Sequence, residues 1–229
     1  MLRDRFDRVR QRIQRACQRS GRDPSCVTLL CVTKGVASDL IRQAVSLGAG
    51  HVGENRVPEA MRKRHELGKL SVRWHLIGHL QRNKAAHAVE LFDAIHSVDS
   101  LALVQALERL AAESPRRIDV FIQINISGEA TKTGCRPQEA HTLVEAVAAS
   151  GHLRLAGLMT MAPFSTDPEG ARPVFRHLRR LADELQTSLR LSQRLQLSMG
   201  MSQDFEVAIE EGADIVRIGT AIFGQTIPR

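Results

Sequence analysis

Apolar residues recur along this chain with two alternating periods, and that alternation predicts the fold. Leu2, Phe6 and Val9 are spaced by three or four residues, as on an amphipathic helix, so residues 2–19 are expected to form a helix that Gly21 ends. Short apolar runs then alternate with helical patterns. The predicted strands are 27–33, 51–53, 74–77, 94–98, 119–126, 154–159, 195–198 and 214–218. The predicted helices between them are 38–47, 57–67, 83–91, 100–112, 137–149, 168–189 and 202–211.

Eight strands, seven intervening helices and a short closing segment predict an α/β protein whose residues 1–229 form one (β/α)₈ TIM barrel with an extra N-terminal helix. A doubly wound open sheet is the alternative, but no GxGxxG motif follows the first strand and eight units suit closure better. Capping signals agree with the helices. Candidate N-caps are Ser38-Asp39, Asp99-Ser100, Asp167-Pro168 and Ser202, and candidate stops are Gly48, Gly68, Gly151 and Gly212.

Lys34 directly follows the first predicted strand, 27–33, which is apolar enough to be buried on both faces. In such barrels the reactive groups lie at the carboxyl ends of the strands. A lysine there can lose its proton and become a nucleophilic amine that forms a Schiff base with a carbonyl compound. A salt-bridged or snorkelling lysine is the alternative.

Two loops rich in small residues follow the seventh and eighth strands, where barrels commonly bind phosphate. The first contains Ser198 and Ser202, and the second contains Gly219 and Thr220 ahead of a short helical segment. Ordinary turn and capping chemistry is the alternative for either loop alone. A lysine facing a phosphate cradle suits a phosphorylated aldehyde held as an imine, for which pyridoxal 5′-phosphate (PLP) is the candidate.

Arg217 in the eighth strand gives this hypothesis a chemical direction. An arginine facing the pyridine nitrogen of PLP does not give up its proton easily, so that nitrogen would stay unprotonated and the ring would be a weak electron sink. Transamination and decarboxylation are therefore not expected. An ion pair of Arg217 with Asp214 or Glu54 is the alternative.

Composition narrows the remaining classes of function. The net charge of +7 and the pI near 9.9 allow nucleic-acid binding, but seven Phe, one Trp and no Tyr leave few residues for base stacking. No run of eighteen apolar residues predicts a membrane span, and the mixed-charge N-terminus has no signal core, so a cytosolic protein is expected. The four cysteines have no CxxC spacing and are expected to be reduced thiols in or near the core. Lysine is rare among the 32 basic residues, at Lys34, Lys63, Lys69, Lys84 and Lys132.

Three further candidates have ordinary readings. His75 and His79 are four residues apart, but a strand end and no carboxylate accompany them, so no metal site is expected. Lys132 could reach an incoming ligand from its loop or be simply solvated. The methionines near the strand ends could pad a cofactor ring, but core filling is their usual role.

Seven segments closely resemble the pyridoxal phosphate homeostasis protein family. They are VGEN at 52–55, WHLIGHLQRNK at 74–84, HSVDS at 96–100, QINISGE at 123–129, GLM at 157–159, LSMGMS at 197–202 and VRIGTAIFG at 216–224. The resemblance implies a barrel related to the N-terminal domain of alanine racemase, the fold type III of PLP proteins. It implies that Lys34 carries PLP as an aldimine and that Arg217 meets the pyridine nitrogen. It also implies that Asn55 lies near the ring and that the phosphate is held by Ser202, Gly219 and Thr220, together with Ser198.

The family is regarded as PLP carriers that buffer the cofactor in vitamin B6 and amino-acid balance, without established catalytic turnover. A low-rate amino-acid racemase is the alternative, but related racemases use a tyrosine as a second base and this chain contains none. A barrel that forms a Schiff base with a phosphorylated sugar is a third hypothesis. The expected partners are PLP and PLP-dependent apo-enzymes, and the expected state is a monomer.

Overall fold

A closed barrel of parallel strands is the centre of the computed structural model, which describes residues 1–115, 117–129 and 132–224. In those ranges the strands β1 to β8 are Thr28–Val32, His51–Glu54, Arg73–Leu76, Ala94–Val98, Ile118–Gln123, Leu153–Met159, Gln196–Ser198 and Ile215–Ile218. The helices α1 to α9 are Leu2–Arg19, Ser38–Ser46, Val57–Leu67, Ala85–Leu91, Leu101–Ala111, Ala140–Ala148, Arg172–Ser188, Phe205–Glu210 and Thr220–Phe223. β1 pairs in parallel with both β2 and β8, so the barrel closes and the predicted fold class is confirmed.

The predicted capping residues are right in part. Ser100 caps α5, because its hydroxyl accepts a hydrogen bond from the Leu103 N–H. Ser38 is instead the first residue of α2, and its hydroxyl donates to Glu66. Ser202 does not start α8, which begins at 205, because the Ser202 hydroxyl accepts from the Ala221 N–H in α9, which follows the adjacent strand β8.

The hydrophobic core has two layers. The larger one lies between the sheet and the helices, and α1 adds its apolar face to it by packing against α2, α8 and α9. The smaller one fills the barrel interior with Leu30, Ala94, Phe121, Met159 and Ile215. Buried polar side chains share that interior, and their need for hydrogen-bond partners shapes the site.

Three cysteines are buried free thiols, as expected, and one is not. Cys17, Cys31 and Cys135 are buried, and burial raises the pKa of the Cys31 thiol to about 12, so this thiol is unreactive at neutral pH. Cys26 is exposed, because it ends a short 3₁₀ turn ahead of β1.

Among the helices that the structure describes, none combines the length and apolar character needed to cross a bilayer.

Candidate binding site at the carboxyl ends of the strands

Lys34 lies two residues beyond β1 with an exposed side chain at the mouth of the barrel. It occupies a tight turn in which the Val36 N–H donates to the Thr33 carbonyl at 2.9 Å. Gly35 completes the turn with φ of +68°, a conformation that favours glycine. Within the described ranges no ion pair of Lys34 is found and its side chain is exposed, so its amine is accessible to a ligand.

A buried cluster holds this turn from below. Lys63 on α3 is fully buried, and its Nζ donates to the Thr33 carbonyl at 2.5 Å, Glu54 Oε1 at 2.8 Å and Glu59 Oε1 at 2.6 Å. The Thr33 hydroxyl donates to Glu54 Oε1 at 2.5 Å, and the Gly35 N–H donates to Glu59 Oε1 at 2.7 Å. The residues on both sides of Lys34 are therefore anchored to β2 and α3.

The pKa values of the two carboxylates in this cluster are shifted in opposite directions. Burial raises the pKa of Glu54, although the Lys63 ammonium opposes that shift. Burial also favours a higher pKa for Glu59, but hydrogen bonds from Lys63 and the Gly35 N–H outweigh it and lower the pKa. Glu54 Oε2 is buried and has no hydrogen-bond partner among the described residues, so the cluster has one unused hydrogen-bond acceptor.

Arg217 forms part of the barrel interior rather than an ion pair. Its Nη1 donates to Ser198 Oγ and its Nη2 donates to the Thr160 carbonyl, both at 2.9 Å. Burial lowers the pKa of the guanidinium to about 10, partly offset by the nearby Asp204 carboxylate, so Arg217 remains charged at neutral pH. A buried cation whose two direct partners are neutral is suited to a further electron-rich ligand.

The carboxylates that sequence reasoning offered to Arg217 are used elsewhere. Asp214 precedes β8 and pairs with Arg22 and Arg194. Glu54 pairs with Lys63. The ion-pair alternative for Arg217 is therefore wrong.

The predicted phosphate loops lie side by side. Gly219 is the N-cap of α9, Thr220 is exposed, and the Ser202 hydroxyl joins the two loops by accepting from the Ala221 N–H at 3.3 Å. Ser198 differs from its neighbours, because its buried hydroxyl is engaged by Arg217 and by His96 Nδ1 at 2.9 Å. Its contact with a phosphate remains a prediction.

Gly200 in the same loop is explained by packing. It has φ of +92°, and a Cβ there would lie 2.5 Å from the Cβ of Ala208 on α8. Glycine therefore lets α8 approach the loop and does not by itself indicate a ligand.

Asn55 follows β2 and is half-buried at the mouth of the barrel. It lines a cavity of about 480 Å³ together with Arg56, Val57, Pro58, Gly78, His79, Leu80, Gln81 and Lys84. Gly78 leaves no room for a side chain, since a Cβ there would lie 2.2 Å from the Asn55 carbonyl oxygen. That close approach fixes the position of Asn55.

Three histidines form a chain through the barrel interior that sequence reasoning missed. His96 Nε2 lies 2.9 Å from His75 Nδ1, and His75 Nε2 lies 2.9 Å from His51 Nδ1. Burial lowers the pKa of His75 and His96 well below 6.5, so both rings are neutral at pH 7. Their positions on the neighbouring strands β2, β3 and β4 could have predicted this contact, since inward-facing residues of adjacent strands become neighbours.

His75 and His79, whose spacing raised the question of a metal pair, lie in different environments. His75 is inside the barrel, whereas His79 is half exposed with Nδ1 3.8 Å from Asp99 Oδ2. In the part of the chain that the structure describes, no three His, Cys, Asp or Glu side chains are grouped to hold a metal ion. Lys132 pairs with Glu129 at 3.0 Å rather than standing free.

The chain is similar to known proteins in sequence and in fold. A family model described as the N-terminal domain of alanine racemase matches residues 5–227. The pyridoxal phosphate homeostasis protein of Aquifex aeolicus is 43% identical over 97% of both chains. Its namesake from Pseudomonas aeruginosa is 40% identical over 95% of this chain and 92% of that one.

The chain belongs to the pyridoxal phosphate homeostasis protein family. Among solved structures, the family relative PipY of Synechococcus elongatus with PLP bound superposes with a TM-score of 0.85 and 36% identity, covering 98% of this chain and 100% of that one. An alanine racemase of Clostridium difficile superposes with a TM-score of 0.77 at 14% identity, over 99% of this chain and 58% of that one. The racemase therefore shares the barrel fold, and the likeness extends no further.

Proposed function

We propose that this chain binds PLP covalently through Lys34 and serves as a carrier or buffer of the cofactor. The observation that carries the proposal is the pairing of an exposed amine with a buried guanidinium and two adjacent small-residue loops at one end of the barrel. PLP requires an amine for its aldehyde, a partner for its ring nitrogen and donors for its phosphate. PipY, whose chain is matched along its whole length, has a structure with PLP bound.

The residues present fit the cofactor. Lys34 Nζ would attach PLP by forming a C=N bond to its aldehyde carbon, with the aldehyde oxygen leaving as water. Ser202, Gly219 and Thr220 would bind the phosphate, and Asn55 would lie beside the ring. When bound, PLP supplies an electron-withdrawing ring, whose strength depends on its nitrogen.

Arg217 favours carriage over turnover. A guanidinium that remains charged would donate a hydrogen bond to the ring nitrogen without protonating it, which would leave the ring a weaker electron sink. The 229 residues also contain no tyrosine to act as a second base. A role in vitamin B6 balance, and indirectly in amino-acid balance, is part of this proposal and rests on membership of the family. Recipient apo-enzymes, a monomeric state and a cytosolic location stay predictions.

Reduction by borohydride tests the proposal. The protein mixed with PLP should develop a visible absorption band that borohydride bleaches, and Lys34→Ala should lose the band. Lys69→Ala, which removes an exposed lysine outside the site, should retain it. No band in the wild-type protein would refute PLP binding. Lys34-dependent exchange of α-protons of amino acids for deuterium would favour a racemase over a carrier.

A further inference from the structure

We propose that Ser198, His96, His75 and His51 form a one-directional hydrogen-bond chain that orients Arg217 and connects it to the opposite mouth of the barrel. The chain starts at Arg217 in the cofactor site and passes through three successive contacts of 2.9 Å beyond Ser198. It ends at His51, the first residue of β2, at the amino ends of the strands. There His51 lines a cavity of about 490 Å³.

The order of the protons follows from the number of donors. His75 and His96 each use both ring nitrogens in the chain, and a neutral imidazole has one donor and one acceptor. Arg217 can only donate, so the Ser198 oxygen accepts from it. Among the described residues His96 Nδ1 is the one other partner of the Ser198 hydroxyl, so the hydroxyl proton is satisfied when it is donated to His96 Nδ1. Each ring then donates from Nε2 to the Nδ1 of the next. One donor direction therefore runs from Arg217 to His51.

This order makes the chain an all-or-none unit. A proton added to His51 Nδ1 turns that acceptor into a donor, so His75 and His96 must both move their protons from Nε2 to Nδ1. Ser198 then accepts from His96 as well as from Arg217, and its own hydroxyl proton stays on Oγ without an acceptor among the described residues, which alters the contact between Ser198 and Arg217. No proton is created or lost within the chain beyond the one that His51 receives. Protonation of His51 therefore changes the hydrogen bonding of Ser198, which is a direct partner of Arg217.

The charges around the chain set where this happens. Burial and then the Arg73 guanidinium lower the pKa of His51, while Asp93 opposes them, so His51 gains its proton only below pH 6.5. Arg73 itself pairs with Asp119, which Arg154 also contacts, and Arg10 of α1 lines the same cavity as His51. Arg217 and Arg73 both disfavour a charge on His96. Protonation therefore starts at the His51 end.

Nitrogen-15 NMR of the cofactor-free protein tests the chain without reference to PLP. At pH 7, His51, His75 and His96 should all show a protonated Nε2 and an unprotonated Nδ1. Below pH 6.5 the signals of all three rings should change with one common midpoint. Rings of mixed tautomer, or a His96 that titrates independently of His51, would overturn the proposal.

A matched pair of variants gives the second readout. In His51→Asn the amide can still hydrogen-bond His75 but cannot be protonated, so the common acidic transition of His75 and His96 should be lost. His87→Asn, a change at an exposed histidine on α4, should keep it. Persistence of the transition in His51→Asn would contradict the chain.

The effect on the cofactor rests on the proposed function, and the two can fail separately. In the PLP-loaded protein, the visible band should shift with the same acidic midpoint in the wild type and in His87→Asn, but not in His51→Asn. A wild type that binds no PLP would overturn the proposed function, while the NMR result still decides the chain. A wild type that binds PLP with a band unaffected by the His51 transition would overturn the link to Arg217.

Discussion

At the scale of single residues, the proposed site contains two uncommon lysines and one buried arginine. Lys34 and Lys63 are two of only five lysines in an arginine-rich chain. Lys34 is in the turn after β1, and Lys63 on α3 donates a hydrogen bond to the Thr33 carbonyl in the same turn. The sequence predicted Lys34 and Arg217, because a charged residue at the end of a buried strand requires an explanation. It did not predict Lys63 or the role of Ser198, because those depend on contacts between distant segments.

Replacing Arg217 should weaken PLP binding. Arg217→Gln would remove the proposed charged hydrogen bond to the ring nitrogen, worth about 1.5–3 kcal/mol, so the dissociation constant should rise by roughly ten- to a hundredfold. A fluorescence titration measures it, with Arg8→Gln on the exposed face of α1 as the control. Equal affinities in the two variants would argue against a contact between Arg217 and PLP.

At the scale of elements, the turn after β1 is held by β2 and α3 together. Periodicity located all three elements, since each has a clear apolar pattern. It could not reveal that Lys63, on the buried face of α3, reaches Thr33 and Glu54 beyond the strand ends. In the sequence, a lysine on an apolar helix face only interrupts the hydrophobic pattern. The tertiary contacts are needed to show that its charge is paired.

Removing Lys63 should destabilise the protein. Lys63→Met leaves Glu54 buried without its cation, which costs about 3–5 kcal/mol in the free energy of unfolding. Urea denaturation measures the loss, and Lys69→Met is the exposed control. The double variant Lys63→Met/Glu54→Gln should recover part of it, because no unpaired charge is then buried. A single variant as stable as the control would show that the cluster does not hold the turn.

At the scale of the whole molecule, the barrel was predictable and its polar interior was not. Eight apolar runs separated by helical patterns allow few other folds, so the strand count and closure could be predicted. Two predicted helix caps were wrong, because Ser38 and Ser202 bond to other segments instead of capping. The neutral histidine chain needs the strand register, which only the folded barrel supplies.

Acid should weaken the contact between α7 and the end of α8. Burial would raise the pKa of Glu211, but hydrogen bonds from Arg176 and Arg172 outweigh it and hold the pKa below the ordinary value of 4.5. A lowered carboxyl pKa stabilises the fold above pH 4.5, and this contribution is lost as the pH falls through the folded-state value. Loss of stability below pH 4.5 is therefore expected.

Urea denaturation of Glu211→Gln measures this contribution. At pH 7 the variant should be less stable than the wild type by on the order of 1–2 kcal/mol, and the difference should shrink below pH 4.5. Glu145→Gln, at an exposed position of α6, serves as the comparison. A pH-independent difference between Glu211→Gln and the wild type would contradict the assignment.

The central claim is that Lys34 is the point of attachment for PLP, and peptide mapping tests it most directly. The protein is loaded with PLP, reduced with borohydride, digested and analysed by mass spectrometry. The account predicts one dominant pyridoxyl adduct, on the peptide that contains Lys34. A dominant adduct on Lys63, Lys132 or another amine, with Lys34 unmodified, would contradict it.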